Sequence, residues 1–141
     1  MRSFDDIAAD FEFLDDWEDR YRYIIELGKE LPPLAEEDHT EANRVHGCVS
    51  QVWLKVMPEG SGPDAVLHFA ADSDALIVRG LVAILLSMVE GKTAREIMEM
   101  DIKGRLESLG LQEHLTQQRA NGLASMIQRL QQEARKVAGA A

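Results

Sequence analysis

The single cysteine of this chain, Cys48, is the residue best suited to covalent chemistry. Its neighbours in the run are His46, Gly47, Ser50 and Gln51. Gly47 gives the backbone freedom just before the thiol and removes a side chain that would block another molecule. His46 can supply positive charge or a proton to a thiolate. The run therefore predicts an active-site loop in which the sulfur of Cys48 reacts and the four neighbours surround it.

A lone thiol limits the chemistry that this loop can perform. The chain has no second cysteine for an internal disulfide and no further thiolates for a zinc or iron-sulfur site. Free cysteine is also often buried as a small hydrophobe, so a non-covalent binding module with a structural Cys48 is one alternative. A cysteine hydrolase is another, although its nucleophile typically begins a helix, whereas the residues after Cys48 alternate like a strand.

Other kinds of site have weak support. The four histidines are scattered, and none has the i, i+4 spacing of a metal-binding helix. No glycine-rich loop leads into a helix with a following Lys-Ser or Lys-Thr pair, as a phosphate-binding loop would. Asp72 and Asp74 form a carboxylate pair, but two acids ahead of an apolar helix are typical of a cap. We therefore expect no metal and no cofactor in this chain.

The charge of the chain is concentrated at one end. Residues 1–41 carry 14 acidic and 4 basic side chains, whereas residues 42–141 carry 11 of each. A nucleic-acid-binding protein needs a basic face, so nucleic acid is excluded as a partner. The acidic part is interpreted as a solvated helix face, with attraction of a basic partner as the alternative.

Length and hydropathy favour one domain covering residues 1–141 of a cytoplasmic protein. The 141 residues, 45% of them hydrophobic, suffice for one core. The longest apolar run, residues 75–89, contains an arginine and is shorter than the roughly 20 residues of a membrane span. Residues 1–19 are acidic and do not resemble a secretion signal, and one cysteine suits a reducing compartment.

Hydrophobic periodicity predicts an α+β fold, in which a small antiparallel sheet of about three strands packs against several helices. Residues 1–41 are predicted to be helical, residues 44–72 to hold the sheet and the active-site loop, and residues 73–141 to be helical. Alternation predicts strands over residues 52–56 and 65–71, with residues 44–46 as a possible third. Capping residues predict where helices begin, namely Ser3, Asp15 or Asp16, the run from Asp72 to Asp74, Thr93 with Glu96, and Thr116.

The strand pattern also bears on the thiol. If the first strand extended back to residue 48, Cys48 would share the apolar face of Val52, Leu54 and Val56. Apolar shielding raises the pKa of a thiol and slows its reactions. We therefore expect a partly covered thiol that becomes available when the loop over residues 43–51 moves.

Several separated motifs together resemble the SufE family, the cysteine desulfuration proteins of iron-sulfur cluster assembly. The similarity spans nearly the whole chain. A departure is Val49, where the family often has glutamine. The motifs are residues 17–34 around Tyr21 to Gly28, Val45-His46-Gly47-Cys48 leading into Ser50 to Leu54, Asp72-Ser73-Asp74-Ala75, and Arg119 to Leu123 with Met126.

The resemblance implies a function for Cys48. Family members accept sulfur from a PLP-dependent cysteine desulfurase of the SufS type, which holds it as a persulfide, and pass it on to iron-sulfur scaffold proteins. Cys48 would be the acceptor, and the PLP would belong to the partner. The resemblance also implies a fold like that of the IscU-type scaffolds and places Asp72 and Arg119 near the active-site loop or the desulfurase-facing surface. For Asp72, we expect a helix cap.

Overall fold

The computed structural model describes residues 2–48 and 50–139 and has the α+β fold that the sequence predicts. In these residues it contains six α-helices and one two-stranded antiparallel sheet. Short 3-10 helices lie at Glu36–Asp38 and Gln112–His114. The elements are α1 (Phe4–Phe13), α2 (Trp17–Glu30), β1 (Val52–Glu59), β2 (Val66–Ser73), α3 (Leu76–Val89), α4 (Ala94–Glu99), α5 (Ile102–Glu107) and α6 (Gln117–Ala138).

Most of the predicted helix starts are confirmed by the hydrogen bonds of their caps. The Ser3 hydroxyl accepts from the backbone N–H of Asp6 at 3.1 Å, and the Asp16 carboxylate accepts from that of Glu18 at 3.0 Å. Helix α4 begins with a capping box in which Thr93 and Glu96 each accept from the other's backbone N–H. The Thr116 hydroxyl caps α6, and α5 is additional to the helices predicted from the sequence.

The predicted third strand is wrong for the residues that the structure describes. Strands β1 and β2 pair from Val52 with Ser73 to Glu59 with Val66. Ahead of β1, Arg44 makes only a single bridge, opposite Trp53. A turn over residues 40–43 precedes Arg44, and a turn at Gly47, whose φ is +93°, follows it. The extended segment is therefore too short to form a strand.

Helix α3 lies at the centre of the protein and contacts α1, α2, α5, α6 and β2. Its apolar residues are buried on nearly all sides, as the continuous apolar run predicts. Helices α2 and α3 approach closely at Gly28 and Gly80, where a Cβ on Gly80 would overlap the carbonyl oxygen of Ile24. The inward residues of the helices and of the sheet form one hydrophobic core.

None of the helices within residues 2–48 and 50–139 has the length and hydropathy needed to cross a membrane.

Candidate functional site

Cys48 lies in a loop whose two ends are held side by side. The backbone N–H of Val45 donates to the carbonyl of Val52 at 2.8 Å, and that of Leu54 donates to the carbonyl of Asn43 at 2.8 Å. On the far side of Cys48, the N–H of Gln51 donates to the Asp74 carboxylate at 3.0 Å. The part of the loop free of β1 therefore begins at residue 46, later than the residue 43 expected from the sequence.

Gly47 sets the direction in which the loop presents the thiol. Its φ of +93° lies in the region that side chains other than glycine rarely adopt. A Cβ at this position would also collide with the hydroxyl of Ser125 on α6. Both the turn and the close approach to α6 therefore require glycine at position 47.

The thiol of Cys48 is half-buried against the backbone of α6. Its Sγ lies 3.6 Å from the carbonyl oxygen of Gly122, to which the thiol donates a weak hydrogen bond. A Cβ on Gly122 would lie 3.4 Å from Sγ, so the missing side chain leaves room for the sulfur. The backbone of Gly122 therefore forms the part of α6 that the thiol contacts.

An open pocket of about 250 Å³ lies beside the thiol. The lining residues from β1 and α3 are apolar, and the polar lining residues on α6 and its cap are Thr116, Gln118 and Arg119. The space exceeds what one sulfur atom needs. The lining residues are Cys48, Ser50, Val52, Val78, Leu81, Val82, Thr116, Gln118, Arg119, Gly122, Leu123 and Met126.

Two opposed effects act on the pKa of the Cys48 thiol. Burial raises the pKa, because a thiolate is poorly solvated among apolar side chains, and this effect is the larger. The positive charge of Arg44 lowers the pKa and offsets part of that rise. At rest, Cys48 is therefore a protonated thiol at neutral pH, and uncovering it brings it closer to the reactive thiolate.

The structure brings three of the sequence-predicted site residues together. Ser50 and Arg119 line the pocket next to Cys48, although Arg119 lies 71 positions later in the sequence. The polar side of the pocket thus includes one permanent cation. Arg119 belongs to the first turns of the long helix α6, where the N-terminal cap at Thr116 fixes the backbone.

His46 and Gln51 do not line the pocket. The exposed ring of His46 pairs with Glu41, with Nε2 at 2.7 Å from the carboxylate. His46 faces a second pocket, between the loop and the middle of α6, which also contains Ser125 and Arg129. Among the residues that the structure describes, those lining the Cys48 pocket include no histidine, so a Cys-His dyad with His46 has no geometric support.

Asp72 lies on the outward face of the sheet, and its expected role as a helix cap is wrong. Strand β2 continues to Ser73, two residues beyond the predicted end, so Asp72 still pairs with Trp53. The Asp72 carboxylate accepts from His39 Nε2 at 2.8 Å and raises the pKa of that imidazole. It also lies 3.5 Å from the Arg79 guanidinium. Its contact with a partner stays a prediction.

Helix α3 has Ala75 at its N-cap and no side-chain cap, so the cap predicted from the run Asp72 to Asp74 is wrong for the whole run. The Ser73 hydroxyl accepts from the N–H of Ala75 at 3.3 Å, next to the start of the helix. The Asp74 carboxylate holds the loop at Gln51. No group of three or more His, Cys, Asp or Glu residues suited to a metal ion occurs within the described ranges 2–48 and 50–139.

Sequence reasoning missed Gly122 and Arg44 as residues of this site. A glycine in the interior of a helix costs about 1 kcal/mol relative to alanine, so its presence in α6 is a signal of close approach by another group. Arg44 carries no such signal. Its proximity to Cys48 follows from the bridge to Trp53, which is a tertiary feature.

Similarity to other proteins extends over most of this chain. A family model described as the Fe-S metabolism associated domain SufE matches residues 5–134. A SufE-like protein of Rhizobium etli is 54% identical over 140 residues, covering 99% of this chain and 95% of the relative. A SufE-like protein of Rhizobium meliloti is 54% identical over 134 residues, covering 95% and 96%.

A solved structure has the same fold. It is the solution structure of a hypothetical protein from Thermus thermophilus, with a TM-score of 0.75 and 24% identity. The likeness covers 98% of this chain and 96% of the other.

Proposed function

This chain belongs to the SufE family, which is associated with Fe-S metabolism, and we propose that it is a sulfur acceptor whose Cys48 carries a persulfide. The sulfur donor is a PLP-dependent cysteine desulfurase of the SufS type, and the recipients are iron-sulfur scaffold proteins. The transfer takes place in the cytoplasm, where thiols stay reduced. The chain itself acts as partner and activator of the desulfurase, and it holds no PLP of its own.

The observation that carries this proposal is the position of the chain's single thiol beside an open pocket. Cys48 Sγ rests against Gly122 at the edge of a pocket that has more room than the thiol fills. A thiol that served packing alone would be enclosed on all sides, because protein interiors leave few voids larger than a water molecule. The space next to Cys48 suits a second sulfur atom bonded to it.

The transfer step balances without an added oxidant or reductant. The Cys48 thiolate attacks the terminal sulfur of the donor persulfide, and a sulfur-sulfur bond forms at Cys48. The sulfur-sulfur bond of the donor breaks, and the donor cysteine leaves as a thiolate. The terminal sulfur keeps its proton or its negative charge, and Cys48 becomes a persulfide. The Cys48 sulfur is oxidised as the donor cysteine sulfur is reduced to a thiolate, so the step is redox-neutral overall.

Arg119 has a defined part in this step. Arg119 lines the same pocket as Cys48, and in this proposal its cation stabilises the persulfide anion once the sulfur extends into the pocket, whereas at rest Arg44 is the cation that lowers the pKa of the thiol. Ser50 also lines this pocket. Asp72, on the outward face of the sheet, belongs to the surface that meets the partner.

Docking of the desulfurase must change the environment of the thiol. Burial raises the pKa of Cys48, so the resting protein holds little thiolate at neutral pH. Movement of the loop out of the pocket removes that burial and lets Cys48 reach the donor. The pocket then closes over the persulfide and limits its reaction with oxidants between encounters.

Intact mass measurement tests the proposal. The protein is incubated with a SufS-type desulfurase, PLP and cysteine, and we expect a mass increase of one sulfur atom that reductant removes. Cys48→Ser is the matched variant, because it replaces one atom and keeps the loop. It should fold, gain no mass and fail to stimulate the desulfurase. Normal stimulation by Cys48→Ser would overturn the acceptor function in favour of a non-covalent binding module.

A second assay separates the acceptor from a cysteine hydrolase. A hydrolase turns over activated esters without a partner and shows an acyl-enzyme burst. Because no histidine lines the described part of the Cys48 pocket, we expect no multiple turnover. Partner-independent turnover that disappears in Cys48→Ser would favour the hydrolase.

A further inference from the structure

Arg129 joins the middle of α6 to the base of the Cys48 loop. Its Nη1 donates to the carbonyl of Arg44 at 2.9 Å, and its Nη2 donates to the carbonyl of Ala42 at 2.7 Å. The two bonds connect residues 85 and 87 positions apart. Its Nε donates to the Glu133 carboxylate at 2.9 Å, one helical turn further on. Each of the three guanidinium nitrogens thus donates one hydrogen bond to an acceptor.

The backbone at the loop base explains why an arginine is suited to this position. Asn43 and Val45 use their backbone groups to pair with β1. The carbonyl of Arg44 lies between these paired groups and points away from β1, whereas the carbonyl of Ala42 belongs to the turn over residues 40–43. Arg129 can donate to both carbonyls at once, because its guanidinium carries two Nη groups in a fixed planar arrangement.

The same face of α6 contacts the loop at three successive turns. Gly122 accepts from the Cys48 thiol, Ser125 lies against Gly47, and Arg129 holds Ala42 and Arg44. The first two contacts are a weak hydrogen bond and a van der Waals contact. The third has two hydrogen bonds from a charged group, which are the stronger kind. Arg129 and Glu133 are also largely shielded, with side chains 22% and 18% exposed.

We propose that Arg129 is a positioning residue for Cys48, because it fixes the distance between the loop base and α6 and so seats the thiol against Gly122. It acts through the backbone of Arg44 and through α6, and it does not touch the sulfur. This inference concerns where the thiol lies and does not depend on which donor it reacts with, although it gives the proposed sulfur acceptor a defined resting state.

Cys48 alkylation as a function of pH tests this role. In Arg129→Met the aliphatic stem is kept and the donors are lost. We expect the labelling rate by iodoacetamide at pH 7 to rise about tenfold, because the loop loses two charge-assisted hydrogen bonds. The midpoint of the pH profile should fall toward that of a free thiol, since the thiol loses its burial. The charged groups around the thiol, Arg44 before the loop and Arg119 on α6, are present in every variant.

Two further variants separate positioning from stability. Arg135→Met removes the same charge from an exposed position of the same helix, and we expect wild-type labelling. Arg129→Lys keeps the charge but lacks the planar guanidinium. We therefore expect its urea midpoint to equal that of the wild type and its Cys48 to be labelled faster than that of the wild type. If Arg129→Met fails to fold, Arg129→Lys decides the matter. Wild-type labelling in either Arg129 variant would overturn the positioning role.

The outcome is independent of the sulfur-acceptor assay. If Cys48 gains no sulfur from a desulfurase and Arg129→Met still uncovers the thiol, the proposed function fails and the positioning role stands. If Cys48 gains sulfur and Arg129→Met labels like the wild type, the positioning role fails and the proposed function stands.

Discussion

Helices α2 and α3 touch at Gly28 and Gly80, and the Cys48 loop touches α6 at Gly47 and Gly122. Each contact includes a glycine at which a Cβ would overlap its neighbour, namely Gly80 against Ile24 and Gly47 against Ser125. They differ in what surrounds them. The first lies in the core, where Ile24 and Leu81 are at most 2% exposed, and the second borders an open pocket of about 250 Å³.

The two contacts, although both are made at glycines, differ in how rigid they are. Close packing on all sides of Gly80 leaves α2 and α3 no alternative arrangement. Around Cys48 the apolar contacts cover one side, and the rest of the attachment consists of a few hydrogen bonds that can open locally. A rigid contact suits the core, and a contact made by a few hydrogen bonds suits the proposed role, in which the thiol reaches a partner.

The largest expected effect is on the rigid contact. Gly80→Ala places a Cβ onto the carbonyl oxygen of Ile24, which belongs to a helix that cannot move without disturbing the core. We expect the free energy of unfolding to fall by about 1–3 kcal/mol or more. Urea denaturation measures this loss. A wild-type urea midpoint in Gly80→Ala would show that the α2–α3 contact yields as readily as the loop, and the comparison would break.

The next effect is on the turn before the thiol. Gly47→Ala forces a side chain into positive φ and against the Ser125 hydroxyl, at a cost of about 1–3 kcal/mol. Because the loop can open locally, we expect faster Cys48 labelling by a bulky maleimide with little change in the urea midpoint. Gly47→Ala in a Ser125→Ala background should recover part of the slow labelling, since only the collision is relieved. Slower labelling in Gly47→Ala would contradict a movable loop.

A pH profile of the wild-type thiol sharpens the same contrast. Burial raises the pKa of Cys48, so the alkylation midpoint should lie above the ordinary value of about 8.5. The stability contributed by the buried thiol is present below the pKa of the unfolded chain and is lost as pH rises through the higher folded pKa. Arg44→Met should move the midpoint further up, because Arg44 lowers it. A midpoint at or below that of a free thiol would mean that the sulfur is exposed at rest.

The smallest effect is expected on the wall of the thiol pocket. A Cβ on Gly122 would meet Cys48 Sγ at 3.4 Å, an ordinary van der Waals contact. Gly122→Ala should therefore raise the free energy of unfolding by about 0.5–1 kcal/mol through helix propensity, the opposite sign from Gly80→Ala. It should also slow Cys48 labelling slightly by covering the sulfur. A loss of stability would show that the loop cannot adjust at this contact.

Local signals explain which parts of the fold were predictable. The starts of α1, α2, α4 and α6 were, because a capping side chain acts within two or three residues of itself. The third strand was not, because the extended segment at Arg44 is limited by turns on either side. The end of β2 was placed too early, since pairing with Trp53 keeps Asp72 in the strand against its turn-forming tendency.

The site divides in the same way. Cys48, Gly47 and the loop position follow from the residues themselves, while the resemblance to the SufE family supplied Arg119, which does line the pocket. His46 and Asp72 lie outside it, and nearness in sequence or in a motif did not indicate this. Of the two residues near the thiol that sequence reasoning missed, Gly122 has a local signal, a glycine inside a helix, whereas Arg44 has none.

The sequence by itself therefore determined that the chain has one thiol, that this thiol lies in a glycine turn before a strand, and where most of the helices begin. Each depends on residue type or on interactions within one turn of chain. Only the tertiary structure decided that α6 forms the wall, that Arg129 holds the loop base, and that Arg119 shares the pocket. These contacts join residues more than 70 positions apart, and they depend on how α6 packs against the core.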